Sequence, residues 1–309
     1  MVSIRGRLVV AGLSAARRVS RRGLVSAPSG PRADAHRPRW LTRNVTGERD
    51  DFEGWPVHTV TPRSGGASGH ILFLHGGGYV AQIVPPHWRF VSRLAEATDR
   101  TVTVPIYPLA PEHTHSTVMP VLIRLYERLV TRHAPGTTAV MGDSAGAGMG
   151  MALLQSLPAT VPRPRDLVLL SPWLDAVMDN PVSAKIEPSD PILSVAELRR
   201  FAGQYAGEDD PSHPHVSPVN GPLDRLGRVT AFTGTRDVLH PDVRELEVRS
   251  HAWNLDLTVH QYPGMFHGWM IMPVRFPEAT RAFSQIVSLL HADPPGSAVH
   301  GAVTAEEPA

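Results

Sequence analysis

Along the middle of the chain, short uninterrupted apolar runs alternate with longer stretches of helical period. The runs Val57 to Thr61, Ile71 to His75, Thr101 to Ile106, Thr138 to Gly142, Leu167 to Ser171, Val229 to Gly234 and Leu257 to Tyr262 predict strands. Helices are predicted from about His87 to Ala97, Ser116 to His133, Ala145 to Leu157, Val195 to Tyr205, Asp242 to Trp253 and Pro277 to His291. Strands that lack a polar face and alternate with helices imply a mostly parallel sheet covered on both sides, an α/β architecture. The proline-rich stretch from Ala176 to His215 breaks the rhythm and carries one predicted helix. It reads as an insertion between two strands, at the sheet edge where open α/β folds bind ligands.

The two ends differ from the middle. From Met1 to Ala33 there are seven arginines and no acidic residue, around the apolar stretch Leu8 to Ala16. That pattern predicts a basic amphipathic helix lying on the body or over a site. The alternative is a secretory signal with a poor cleavage site at Ser14 to Ala16, and cytoplasm is the expected compartment. The tail from Asp293 to Ala309 is rich in proline and small residues and reads as disordered. The expected division is therefore a basic segment over 1–50, an α/β body over 51–292 with its insertion at about 176–215, and a tail over 293–309.

Composition removes several classes. With 309 residues, 42% of them hydrophobic, the chain can bury a large core, and a net charge of +1 supplies no field for nucleic acid. No run approaches the roughly 20 apolar residues of a membrane span. The absence of cysteine excludes disulfides and thiolate metal sites.

Candidate chemistry sits at the predicted strand ends. "GDSAG", Gly142 to Gly146, is G-x-S-x-G between a strand and a helix. Small residues either side let a serine occupy a tight turn with its hydroxyl at a helix N-terminus. Ser144 is thus a candidate nucleophile, with an ordinary helix-capping serine as the alternative. "HGGGY", His75 to Tyr79, follows another strand, and three glycines let backbone amides turn into a cavity and hold an oxyanion. Gly76, Gly77 and Ala145 are the expected donors. A serine needs a base and an orienting acid. "FTGTRDVLHPD" offers Asp237 and "YPGMFHGWM" offers His267, each in a loop after a strand. The order Ser144, Asp237, His267 is that of the α/β-hydrolase fold. Asp242 competes with Asp237 but fits a first helical turn better, and Asp143 is expected to make a structural hydrogen bond. His113 and His115, and His213 and His215, hint at a metal, yet no carboxylate or cysteine completes a ligand set, so none is expected. Trp88, Trp173 and Trp269 are candidate pocket walls or plain core.

Together with "YPLAPEH", "SPWLD", "DPILS", "SPVNG", "GTRDVL" and "FHGW", these motifs resemble the hormone-sensitive lipase family of α/β-hydrolase esterases, in order, over about residues 70 to 290. The resemblance implies an eight-stranded, mostly parallel sheet with a helical cap made from the N-terminal segment and the insertion. It also implies hydrolysis of a small carboxylic ester without a cofactor, with Asp237 and His267 in the triad. Some relatives pair through the last strand and helix, which leaves a homodimer open. The chain departs from the family where "DYRLAPEH" loses its aspartate and arginine, and where "GDSAGG" reads "GDSAGA" with Ala147. Lactone or amide hydrolysis on the same triad, and ligand binding without catalysis, are the alternative readings.

Overall fold

The computed structural model describes residues 2–20, 44–65, 69–133 and 135–292. The predicted tail over 293–309 and the segment 21–43 lie outside the described residues. Eight strands form one sheet: β1 Val45–Phe52, β2 Trp55–Pro62, β3 His70–Leu74, β4 Thr101–Pro105, β5 Thr138–Asp143, β6 Asp166–Leu170, β7 Arg228–Gly234 and β8 Leu257–Tyr262. Their order is β1-β2-β4-β3-β5-β6-β7-β8. β1 and β2 pair antiparallel, as do β2 and β4, and every other neighbouring pair is parallel.

All residues of β3, β5 and β6 are buried, which explains their unbroken apolar runs in an interior position. β1 was not predicted because its sequence, VTGERDDF, is polar and faces water as an edge strand. Its signal lies in the turn: Glu53 and Gly54 have φ of 52° and 84°, the two positive values of a tight hairpin that pairs Phe52 with Trp55. The sheet therefore begins inside the segment assigned to 1–50.

Helices α1 Ile4–Ser20, α2 Pro85–Thr98, α3 His115–Val130, α4 Ala145–Ser156, α5 Pro181–Ile186, α6 Val195–Ala206, α7 His240–Trp253 and α8 Pro277–His291 connect or flank the strands. α5 and α6 both lie in the insertion between β6 and β7; α5, six residues starting at a proline, is too short to show a period. The basic N-terminal helix, α1, docks at both ends. Ser3 Oγ donates to Glu278 Oε2 on α8 at 2.8 Å, and Arg17 donates to the carbonyls of Glu187 and Asp190 in the insertion.

The amino edge of the sheet is tied to the end of α8 by arginines. Arg100 and Arg165 each donate to Leu290 O at 2.8 Å, and Arg165 also reaches Ala292 O at 2.9 Å. These bonds satisfy carbonyls that a helix end leaves without partners and place positive charge at its negative pole. The fully buried carboxylate of Asp166 sits between Arg165 and Arg228, at 2.8 and 2.6 Å.

Candidate active site

Parallel pairing puts the carboxyl ends of β3, β5, β6, β7 and β8 along one edge, with Leu74 opposite Gly142, Asp143 opposite Leu170, Leu170 opposite Phe232, and Gly234 opposite Tyr262. Every candidate motif leaves the sheet there.

Ser144 follows β5 with φ 53° and ψ −124°, a left-handed value that only a tightly held turn imposes on a residue with a side chain. Its amide donates to Leu170 O at 2.9 Å, and its carbonyl accepts from Trp173 N at 3.1 Å. The flanking glycines are required by space. A Cβ on Gly142 would meet Gly146 O at 2.4 Å, and one on Gly146 would meet Leu74 O at 2.1 Å. Ala147 is accommodated, fully buried in the first turn of α4.

The glycine loop after β3 is held from below. Tyr107, stacked on His75 at 4.3 Å, donates its hydroxyl to His75 O at 2.5 Å. Gly76 N donates to Asp143 Oδ1 at 2.8 Å, while Asp143 Oδ2 lies 3.2 Å from His87 Nε2. Burial alone would raise the Asp143 pKa; the His87 and Gly76 contacts outweigh it and hold it below the ordinary carboxylate value. Asp143 thus has the structural role expected of it. Gly76 requires a correction: its amide is committed to Asp143 and is closed to an oxyanion. Gly77 and Gly78, with φ of 130° and 62°, make the bend instead. Among the described residues, no group accepts from the amides of Gly77, Gly78 or Ala145. In sequence the three consecutive glycines look alike until the neighbouring carboxylate is placed.

Asp237 and His267 meet through loops laced to each other. Arg236 N donates to Met265 O at 2.8 Å and Gly264 N to Thr235 Oγ1 at 2.8 Å, and a Cβ on Gly234 would strike Met265 O at 2.4 Å. His267 Nδ1 lies 2.9 Å from Asp237 Oδ2, and Asp237 Oδ1 accepts from Leu239 N at 2.9 Å. The carboxylate cannot donate, so Nδ1 carries the hydrogen and Nε2 is left with its lone pair. Burial pulls the His267 pKa down most strongly, but the charge and hydrogen bond of Asp237, with Asp190 and Asp143 behind them, raise it above the ordinary histidine value.

Two further acids prove to be scaffolding. Asp242, the rival of Asp237, accepts from Leu174 N and Asp175 N at 3.1 Å each and so anchors the "SPWLD" loop. Asp190, in the insertion, accepts from Ile192 N at 2.8 Å and Val238 N at 2.9 Å, which steadies the loop of Asp237. Burial and the nearby Asp237 push Asp190 up to about 6. Ser171 Oγ accepts from Gly268 N at 3.1 Å and steadies the loop of His267 in turn.

An aromatic wall faces the glycine loop. Tyr79 stacks on Tyr205 of α6 at 3.8 Å and on Trp173 at 5.5 Å, and a Cβ on Gly78 would meet Phe201 at 2.9 Å. Trp88, Trp173 and Trp269 are all buried. His115, His213 and His215, for which no ligand set was expected, converge behind this wall.

A family model described as alpha/beta hydrolase fold matches residues 71–271. An acetyl-hydrolase of Streptomyces hygroscopicus is 33% identical over 214 residues, 69% of this chain and 72% of that protein. A crystal structure of an esterase from the bacterial hormone-sensitive lipase family superposes with a TM-score of 0.78 at 25% identity, over 94% of this chain and 98% of that one. The chain belongs to the hormone-sensitive lipase family of alpha/beta-hydrolase carboxylesterases. As a member it is a carboxylic ester hydrolase. An esterase of Acinetobacter venetianus is also similar to this family member, 30% identical over 223 residues, 70% of this chain and 72% of that protein. Among the described residues no helix is long and apolar enough to cross a membrane.

Proposed function

We propose that this hydrolase cleaves short to medium acyl esters through a covalent acyl-enzyme on Ser144. The observation that carries the reading is the 2.9 Å contact between His267 Nδ1 and Asp237, which leaves Nε2 as a base beside a strand edge where Ser144 is held in a strained turn. His267 takes the Ser144 proton as Oγ attacks the ester carbonyl, and Asp237 stabilises the imidazolium that forms. The amides of Gly77, Gly78 and Ala145 receive the oxyanion, each such donor contributing about 3 to 4 kcal/mol to the transition state. Collapse of the tetrahedral intermediate breaks the bond to the leaving oxygen, which takes the proton from His267. Water, deprotonated by His267, then attacks the acyl-serine; its second collapse releases the acid and returns the proton to Ser144.

The preference for shorter acyl groups rests on Phe201 close against Gly78, together with the stacked Tyr79 and Tyr205. A relative named acetyl-hydrolase points the same way. A burst assay with chromogenic esters from two to sixteen carbons, on the parent and on His267→Ala, tests this. Rapid turnover of the shorter esters, lost in the variant, is expected. Equal turnover by the variant, or a preference for the longest chains, would overturn the reading.

A further inference from the structure

One ring nitrogen of each of His115, His213 and His215 lies within 4.8 Å of the other two. His115 opens α3, whereas His213 and His215 follow α6 in the insertion, so the cluster spans body and cap. It adjoins the aromatic wall: the His115 ring is 6.1 Å, edge-on, from Tyr205, which stacks on Tyr79.

The placement of hydrogens decides what such a cluster can hold. His215 Nε2 is 2.9 Å from Ser156 Oγ, whose own hydrogen goes to Ala152 O at 2.8 Å, so Nε2 is the donor and carries the His215 hydrogen. His115 Nε2 lies 2.9 Å from Asp209 Oδ2, a contact a carboxylate makes favourably only with a protonated nitrogen. The angle is poor for a hydrogen bond, and the ring has a second polar contact with the backbone of Ala206. In their neutral forms both rings then present a bare Nδ1, and these two atoms face each other at 3.4 Å. Two lone pairs at that distance repel unless a cation lies between them. A tetrahedral ion with bonds of about 2.0 to 2.1 Å to nitrogen sets its ligands about 3.3 to 3.4 Å apart. His213 completes the triangle, stacked on His115 at 4.7 Å; its Nδ1 accepts from His215 N at 3.1 Å, so its ring hydrogen sits on Nε2 and the lone pair on Nδ1.

We propose that His115, His213 and His215 bind a divalent transition-metal ion of the zinc class that staples the cap insertion to the body of the fold. Asp209 and Ser156 orient two of the three rings from behind, as outer partners of metal-binding histidines commonly do. Imidazole ligands without a carboxylate cage favour Zn²⁺, Co²⁺, Ni²⁺ or Cu²⁺ over Mg²⁺ or Ca²⁺. The ion binds the neutral rings through Nδ1 of all three histidines, His213 Nδ1 exchanging the bond from His215 N for the metal, with water in the fourth position. Its effect is to fix Tyr205, and through it the wall beside the glycine loop. Ser144, Asp237 and His267 supply the ester chemistry without it.

The test is a Co²⁺ titration of the full chain, free of any affinity tag and stripped with a chelator. Visible absorption and melting temperature are followed together. The expected result is an absorption band that saturates at one Co²⁺ per chain, bleaches on addition of Zn²⁺ and accompanies a higher melting temperature. His213→Gln should abolish the band. Asp209→Asn should weaken binding about 10 to 100-fold; because the Asp209 side chain is 55% exposed, this variant keeps its fold. No band through a molar excess of Co²⁺, or parent-like binding in both variants, would overturn the proposal.

Discussion

As the proposed base, His267 would set the pH dependence of the chemistry through two opposed influences. Burial favours its neutral form, and the charges of Asp237, Asp190 and Asp143 favour the imidazolium and win, leaving the pKa raised. A base must be neutral to act, so kcat/KM is expected to rise with pH through an inflection above 6.5, the ordinary value. An inflection below it in a pH-rate profile would contradict the electrostatics. Because the folded pKa is the higher one, the dyad's contribution to stability is fully present below about 6.5 and is lost as pH rises through the folded value. Asp237→Asn, which removes the charge and keeps the shape, should lower kcat about 10⁴-fold and move the inflection down. At this scale the placement of Ser144, Asp237 and His267 was legible because each follows a strand at the same sheet edge. The fate of Gly76 was not, since it depends on Asp143, 67 residues away in the chain.

At the scale of elements, the turn between β5 and α4 is a steric device. A methyl group on Gly146 would stand 2.1 Å from Leu74 O, a backbone atom in a central strand that cannot yield locally. Gly146→Ala should therefore destabilise the fold by about 3 kcal/mol, near the top of the range for overpacked cores, as read from a urea melt. A loss under about 0.5 kcal/mol would mean that the turn relaxes without penalty. The buried strands beside this turn were readable from sequence because burial on both faces makes their middles runs of apolar residues. β1 and α5 were not, for opposite reasons: β1 is an edge whose residues face water, and α5 is shorter than two turns.

Over the whole described fold, long-range polar contacts join α8 to the sheet and α1 to α8 and the insertion. Asp166, buried between Arg165 and Arg228, belongs to a cluster whose arginines also hold the carbonyls at the end of α8. Asp166→Ala would leave two partly buried guanidinium groups without their counter-charge, a loss that typically costs about 3 to 5 kcal/mol. A fall of that size in unfolding free energy is expected, and an unchanged urea midpoint would remove the cluster from any account of stability. α1 bridges α8 and the insertion in the same way, through Ser3 and Arg17. The contacts of Ser3 and Arg17 are invisible in the sequence, because nothing local marks a serine or an arginine as the partner of a group 275 or 170 residues away.

The central claim is that Ser144 is the nucleophile. The most direct measurement is active-site titration with a p-nitrophenyl phosphonate, followed by peptide mass mapping of the parent chain and of Ser144→Ala. If Ser144 is the nucleophile, one p-nitrophenolate is released per chain, the adduct lies on the peptide containing Ser144, and the variant shows neither adduct nor ester turnover. Inactivation with the adduct on another residue, or a Ser144→Ala protein that still turns over esters, would contradict it.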